Sequence, residues 1–340
     1  MRPLPLTSDN PDLSLSTEAT RPASLSSQST NLSSVDQQPI AAAPELAAAV
    51  SAFVSAAVAD NTRRAYRQDL ADFARWGGSV PCTPEVLAAY VADRAAILSP
   101  STLTRRVVGI SRAHTSKGLA DPAKTDLVRT VLRGVRRSLG RAQRRAAPLL
   151  KQDLLSLLPL MRGTKGTRDR ALLLVGFAAA LRRSEIVALD RSDLEFVNEG
   201  LKVHLRRSKT DQEGVGRTVA VPHGRTEACP VRAMRQWLEA AKIDGGPVFR
   251  NVTKKGAVCE DRLTAQSVNL IVKGYVKCVG LLPSDYSGHS LRAGLVTSAA
   301  QAGIAAHRIM AQTGHQSPDM LARYIRDANL FVNNAAGLLL

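Results

Sequence analysis

The stretch from Ser287 to Arg326, SGHSLRAGLVTSAAQAGIAAHRIMAQTGHQSPDMLARYIR, holds His289, Arg292, His315 and Tyr324. On a helix beginning near His289, residues three apart share a face, so the imidazole of His289 and the guanidinium of Arg292 can aim at one anionic target. Ser317 suits an N-cap and Pro318 a first helical position, which predicts a second short helix carrying Tyr324 about two turns in, with His315 just before its start. A cation, two imidazoles and a phenol together point to phosphate chemistry, with the tyrosine oxygen as nucleophile. Taken singly, each residue has a plainer reading. A His–Arg pair at this spacing is more often solvated or packed, and a helical tyrosine usually belongs to the core with its hydroxyl at the surface.

The remainder of the set lies upstream, in Ala180-Leu181-Arg182-Arg183-Ser184-Glu185-Ile186 and Arg207-Ser208-Lys209-Thr210. Arg182, Glu185, Lys209, His289, Arg292, His315 and Tyr324, in that order, resemble the pattern of the tyrosine recombinase (phage integrase) family, and within it the Cre-like enzymes. The resemblance spans roughly residues 45 to 330. Many members carry a histidine directly after the second arginine, whereas Ala293-Gly294 follow here, and only sixteen residues come after Tyr324.

The resemblance implies a site-specific DNA recombinase working through a 3′-phosphotyrosine intermediate. A phenol of pKa about 10 needs cations or a base to act near neutrality. Arg182 and Arg292 would bind the non-bridging phosphate oxygens. His289 would take the tyrosine proton or bind the same phosphate, and His315 would donate to a phosphoryl oxygen. Lys209 is the candidate general acid for the leaving 5′-hydroxyl, and Glu185 would orient Arg182 or His289. The sequence shows no clustered carboxylates, and the two histidines lack a third ligand at metal-site spacing, so two guanidiniums take the role of a metal and no cofactor is expected. The implied partner is double-stranded DNA with inverted-repeat half-sites. The protein would act as a homotetramer on two paired sites and be monomeric or weakly associated without DNA. A type IB topoisomerase-like relaxing enzyme is the alternative within enzymes, and a non-catalytic DNA-binding protein on the same fold is the alternative outside them.

Bulk charge agrees with a polyanionic partner: 46 Lys and Arg against 29 Asp and Glu give a formal net charge of +17. Nucleic acid is favoured over a membrane surface, because the basic residues are spread through helical patterns and do not cluster beside an apolar span. Ile40 to Ala59 is broken by Pro44 and Glu45, while Ala171 to Leu181 is too short to span a bilayer and is flanked by arginines. No apolar h-region follows the start, and Cys82, Cys229, Cys259 and Cys278 are widely spaced. These features predict reduced thiols in a cytoplasmic, nucleoid-associated protein.

The elements that must position this chemistry are mainly helical. Residues 1–42, rich in Ser, Thr, Pro and Gln, are expected to be a disordered tail. Residues 43–140 are expected to form a helical core-binding domain. Its second helix buries Tyr66, Leu70, Phe73 and Trp76 or Ala74, and its last runs from Asp121 to Gly140 with Leu127, Val131, Leu132 and Val135 inward. Residues 141–148 read as a basic linker and 149–340 as the catalytic domain. There the apolar helix Thr167–Leu181 delivers Arg182, Ser184 caps a new helix, and β-prone runs from Leu194 to Pro222 form a small antiparallel sheet with Lys209 at a strand-to-loop junction. The fold class expected is thus a two-domain DNA clamp, mainly α, with an α+β catalytic domain. Thr62, Arg63, Arg64, Arg67, Arg105, Arg106, Arg112, Arg144, Arg145 and Arg207 are the candidate DNA contacts. Beyond Arg326, an apolar stripe too short to stand alone is expected to dock on the neighbouring subunit or on its own domain.

Overall fold

A computed structural model describes residues 44–56, 58–140, 146–206 and 216–328. The expected tail, the linker residues Arg144 and Arg145, the segment bearing Arg207 and Lys209, and the C-terminal stripe lie outside the described residues. The chain divides into two units, with the break between Leu139 and Gly140.

The first unit contains α1 (Pro44–Ala56), α2 (Asp60–Trp76), α3 (Pro84–Arg94), α4 (Pro100–Thr115) and α5 (Asp126–Leu139). Local chemistry sets the helix starts: the Thr83 and Ser99 hydroxyls accept from the backbone N–H of Val86 and Thr102, with proline following each cap. Gly77, at φ +104°, turns the chain out of α2. Phe73, Leu87, Tyr90, Val91, Val107, Ile110 and Val128 form the core, with Tyr90 edge-on to Phe73 at 4.9 Å between ring centroids. The last helix departs from expectation. A 3-10 turn at Pro122–Lys124 interrupts it, so α5 starts at Asp126 in a new phase, Val128 is buried, and Leu127 is 44 % exposed.

The apolar stripe of α2 also conceals a charge. Asp69 is only 1 % exposed, and burial raises its carboxyl pKa against the opposing pull of Arg105 and Arg106. Arg105 bonds Asp69, and Arg106 bonds Asp72 and the Tyr90 hydroxyl. Arg106 is therefore corrected from a DNA contact to a cross-link of α4 to α2 and α3, because two carboxylates inside the bundle require a cation. Arg105 keeps an exposed surface while its guanidinium is turned to Asp69. Arg63 pairs with Asp60, and Thr62 sits half-buried in the first turn of α2. Arg64, Arg67 and Arg112 are exposed and, with Arg63, line a cleft of about 950 Å³ between α2 and α4.

The second unit runs α6 (Lys151–Leu157), α7 (Gly163–Ala178), α8 (Arg183–Ala188), β1 (Leu194–Val197), β2 (Gly200–Leu205), β3 (Arg217–Pro222), α9 (Pro230–Ala240), β4 (Arg250–Val252), β5 (Val258–Arg262), α10 (Ala265–Cys278), α11 (His289–Gln301), α12 (Ala306–Thr313) and α13 (Pro318–Ala328). β1, β2 and β3 form the expected antiparallel sheet in that order, with Val203 opposite both Leu194 and Val219 and Leu205 opposite Arg217. β4 and β5 make a separate hairpin. The helix α7 is buried along most of its length, with α9 and α11 packed against it, and this explains its nearly continuous apolar sequence. Two glycines permit the close approaches that place α11. A Cβ on Gly176 would lie 2.8 Å from Ile186 Cδ1 and 3.1 Å from Leu291 Cδ1, and one on Gly294 would lie 1.8 Å from the Leu149 carbonyl oxygen. Among the described residues, no helix is long and apolar enough to cross a membrane.

Candidate active site

The site begins where α7 ends. Ala180 takes the left-handed conformation at φ +51°, and Arg182 follows in extended backbone immediately before α8. The cap is not Ser184, as the sequence suggested. Arg182 occupies that position, and the buried Glu185 reaches back, its Oε2 accepting from the Arg182 backbone N–H at 2.8 Å and its Oε1 from Arg182 Nη1 at 2.7 Å. One carboxylate thus fixes both the backbone and the guanidinium of Arg182.

The start of α11 is pinned with equal economy. Gly288 N–H donates to the buried Asn269 Oδ1 at 2.7 Å, and Leu149 N–H donates to Ser290 O at 2.9 Å. His289 therefore opens the helix, and Arg292 lies one turn on, 2 % exposed, with Nη1 donating to the Ala180 carbonyl at 2.8 Å. Its Nη2 is buried and has no hydrogen-bond partner among the described residues. A buried guanidinium N–H left open is costly unless a ligand fills it.

Tyr324 is carried by α13, which packs Leu321 against Val296, Ala300 and Ile309, with Tyr324 and Ile325 beside them. Its hydroxyl lies 3.3 Å from His289 Nε2. The sequence reading missed α12, which stands between α11 and α13 and ends at Gly314, φ +68°. His315 follows this turn, and its Nδ1 is 2.8 Å from Thr313 Oγ1. The Thr313 hydroxyl donates its one proton to the Ile309 carbonyl at 2.7 Å, so it accepts from Nδ1–H of His315 and leaves Nε2 as the bare nitrogen of the neutral ring.

Charge in the site is crowded and partly desolvated. Burial, then Arg182, lowers Arg292 to about 10. Burial followed by Arg292 and Arg182 lowers His289, and the same causes with His289 and Arg217 push His315 down to about 4. Both rings rest neutral near pH 7. His289 can then accept the phenolic proton, and His315 can donate through Nε2 once its ring is protonated. The structure thus brings Arg182, Glu185, His289, Arg292, His315 and Tyr324 into one site, while Lys209 lies outside the described residues. Arg217 also reaches it, and Gln312 braces the helix before His315; both were missed. Gln312 Nε2 donates to Ala178 O at 2.7 Å and to Ala220 O at 3.2 Å, tying α12 to α7 and β3. Neither carries a sequence signal beyond its place near Lys209 or His315. Among the described residues there is no His, Cys, Asp and Glu group that could hold a metal ion.

A helical unit joined to an α+β unit that gathers guanidiniums, imidazoles and a phenol defines a protein class, and comparison with known proteins identifies it. Residues 148–330 match the Phage integrase family. The integrase/recombinase xerD homolog of Selenomonas ruminantium is 41 % identical over 288 residues, 82 % of this chain and 84 % of that protein. The recombinase cre of Escherichia phage P1 is 23 % identical over 268 residues, 73 % of this chain and 77 % of its own. Among solved structures, the XerH site-specific recombinase bound to palindromic difH substrate aligns with a TM-score of 0.59 at 18 % identity, covering 81 % of this chain and 79 % of that one. A lambda integrase dimer bound to a COC′ core site aligns with 0.58 at 15 %, covering 83 % and 76 %. The chain belongs to the phage integrase family and is a DNA strand-transferring enzyme, a tyrosine recombinase of site-specific recombination.

Proposed function

We propose that this enzyme cleaves DNA by attack of the Tyr324 oxygen on a backbone phosphorus, giving a 3′-phosphotyrosine bond and a free 5′-hydroxyl. The observation that carries the reading is the Tyr324 hydroxyl 3.3 Å from His289 Nε2, beside the open Nη2 of Arg292. As the bond to phosphorus forms, the phenolic proton passes to His289 and the charge on the phosphoryl oxygens is held by Arg182 and Arg292. The leaving 5′-oxygen takes a proton from Lys209, and His315, which takes up a proton from solvent when the phosphate anion favours the imidazolium, donates to a phosphoryl oxygen. Because the new ester keeps the energy of the phosphodiester, a second 5′-hydroxyl can reverse the step without a nucleotide. The partner is double-stranded DNA carrying inverted-repeat half-sites, two such sites being exchanged within a homotetramer. The DNA-bound state of the XerH and lambda integrase structures supports this reading. The arginines of the α2–α4 cleft contact the same duplex, with Arg144, Arg145 and Arg207 contributing from their own segments.

The test uses a nicked duplex that traps the adduct. The parent chain should become covalently joined to DNA in excess chelator, whereas Tyr324→Phe should bind the duplex and form no adduct. An adduct in that variant would move the nucleophile elsewhere, with Tyr286 the next phenol to examine.

A further inference from the structure

Arg217 opens β3 immediately after the segment that carries Lys209, and its side chain leaves the sheet for the active site. Nη1 donates to the Gln312 carbonyl at 3.1 Å, at the last turn of α12. The guanidinium also lies on Gly314, close enough that a Cβ there would sit 3.1 Å from Cζ, Nε and Nη1. Its Nη2 is buried, has no hydrogen-bond partner among the described residues, and stands 4.0 Å from Glu185 Oε2, the oxygen that accepts from the Arg182 backbone. Only 20 % of the side chain is exposed. A third guanidinium has therefore been taken largely out of water at a site already crowded with cations. Its contacts run to the turn that presents His315 and to the carboxylate that holds Arg182.

We propose that Arg217 is a positioning residue for strand cleavage, clamping the Gly314–His315 turn onto β3 and facing Glu185 as its second cation. The planar guanidinium suits this double duty, since one nitrogen can cap the α12 carbonyl while the other faces the carboxylate, which a lysine ammonium cannot do at once. Left-handed Gly314 supplies the flat surface against which the guanidinium packs. Through Gly314, Arg217 sets the height of His315. The clamp starts on the strand that follows Lys209 in the chain. The charged and titratable groups that bear on His315 are Arg292, Arg182, His289 and Arg217. Removing Arg217 both frees the turn and takes away one cation that keeps the ring neutral.

The inference rests on the cleavage reading above. Single-turnover cleavage of the nicked duplex, half-site binding across a salt series, and the NMR titration of His315 without DNA are compared for the parent, Arg217→Ala and Arg217→Lys. Arg217→Ala should slow cleavage by about a hundredfold, the cost of a misplacement on the order of 1 Å. Affinity and its salt slope should stay at parent values, and His315 should titrate at higher pH. In a His315→Ala background the same change should add little further loss. Arg217→Lys should keep the His315 titration near the parent and still cleave slowly. A salt slope lower by about one would make Arg217 a phosphate ligand and overturn the proposal. Parent-rate cleavage by either variant, or full additivity with His315→Ala, would do the same. If the parent itself formed no adduct, the cleavage reading would fall, and an unchanged His315 titration in Arg217→Ala would then sink the clamp separately.

Discussion

Replacing Gly294 with alanine should damage the enzyme through a backbone contact, although alanine is the better helix former. The added Cβ would lie 1.8 Å from the Leu149 carbonyl oxygen, 2.7 Å from its carbon and 3.2 Å from the Leu149 nitrogen, where ordinary contact begins near 3.4 Å. Leu149 cannot retreat freely, because it is fully buried and its N–H is bonded to Ser290 O. The helix α11 must then move outward by roughly 1.5 Å, a shift of the size that costs about 1–3 kcal/mol in a packed interior, against a helix-propensity gain of up to about 1 kcal/mol. Arg292, two residues before Gly294, would draw away from the Ala180 carbonyl, and a displacement of this order lowers cleavage by about a hundredfold. Urea unfolding at unchanged m-value measures the first loss, and single-turnover cleavage the second. As a control, Gly134→Ala in α5, where a Cβ meets nothing within 4 Å, should stabilise the protein by about 0.5–1 kcal/mol. A Gly294→Ala enzyme with parent stability and rate would show that the approach of Leu149 does not set the position of α11.

Glu185→Ala strips a buried partner from Arg182 and should lower stability by about 3 kcal/mol and abolish measurable cleavage, while Glu185→Gln should fold and cleave slowly; denaturation and adduct assays separate these outcomes. His315 and His289 are both lowered by folding, so the unfolded chain binds more protons, and stability should be full above pH about 6.5 and decline toward pH 4. Urea midpoints between these limits should lose that dependence in a His289→Gln, His315→Gln variant. DNA phosphate in the site favours the protonated ring of His315, so calorimetry near pH 6 in buffers of different ionisation enthalpy should register proton uptake on binding. Arg106→Ala should destabilise the first unit by about 3–5 kcal/mol, leaving Asp69 and Asp72 short of a cation, and should leave the salt slope of DNA binding unaltered, whereas Arg67→Ala should reduce that slope by about one.

The catalytic spacing was readable because the chemistry needs particular side chains and because Ser317-Pro318 announces α13 in the chain itself. Ser99-Pro100 and Thr83-Pro84 marked α4 and α3 in the same way, and the β-prone runs of Leu194–Pro222 marked the sheet. The helix α12 escaped notice since Ala305 precedes it with no side-chain cap, and its stop signal, Gly314, reads equally as part of a Gly-His motif. Arg106 was placed on the wrong face because an arginine on a helix carries no sign of the carboxylates that tertiary packing will bring to it. Asp69 lay in the apolar stripe of α2, with Phe73 four residues on, and only the fold reveals that its partners come from α4. Arg217 belongs to the same category: a basic residue at a strand start looks solvated until α12 closes over it.

Ala180 places an ordinary side chain where glycine would be more comfortable. An L-residue held at φ +51° is strained by about 1–2 kcal/mol, and glycine would relieve that while surrendering about 0.5–1 kcal/mol to the freedom of the unfolded chain. Loss of the buried Ala180 methyl costs about 0.8 kcal/mol more, so the terms nearly cancel and a screen for heat resistance would pass over this position. Its carbonyl, however, is the peg on which Arg292 hangs, and a looser peg lets the guanidinium wander. A screen for turnover would therefore detect a substitution that thermal selection treats as silent, and laboratory lineages selected by the two criteria should diverge at Ala180.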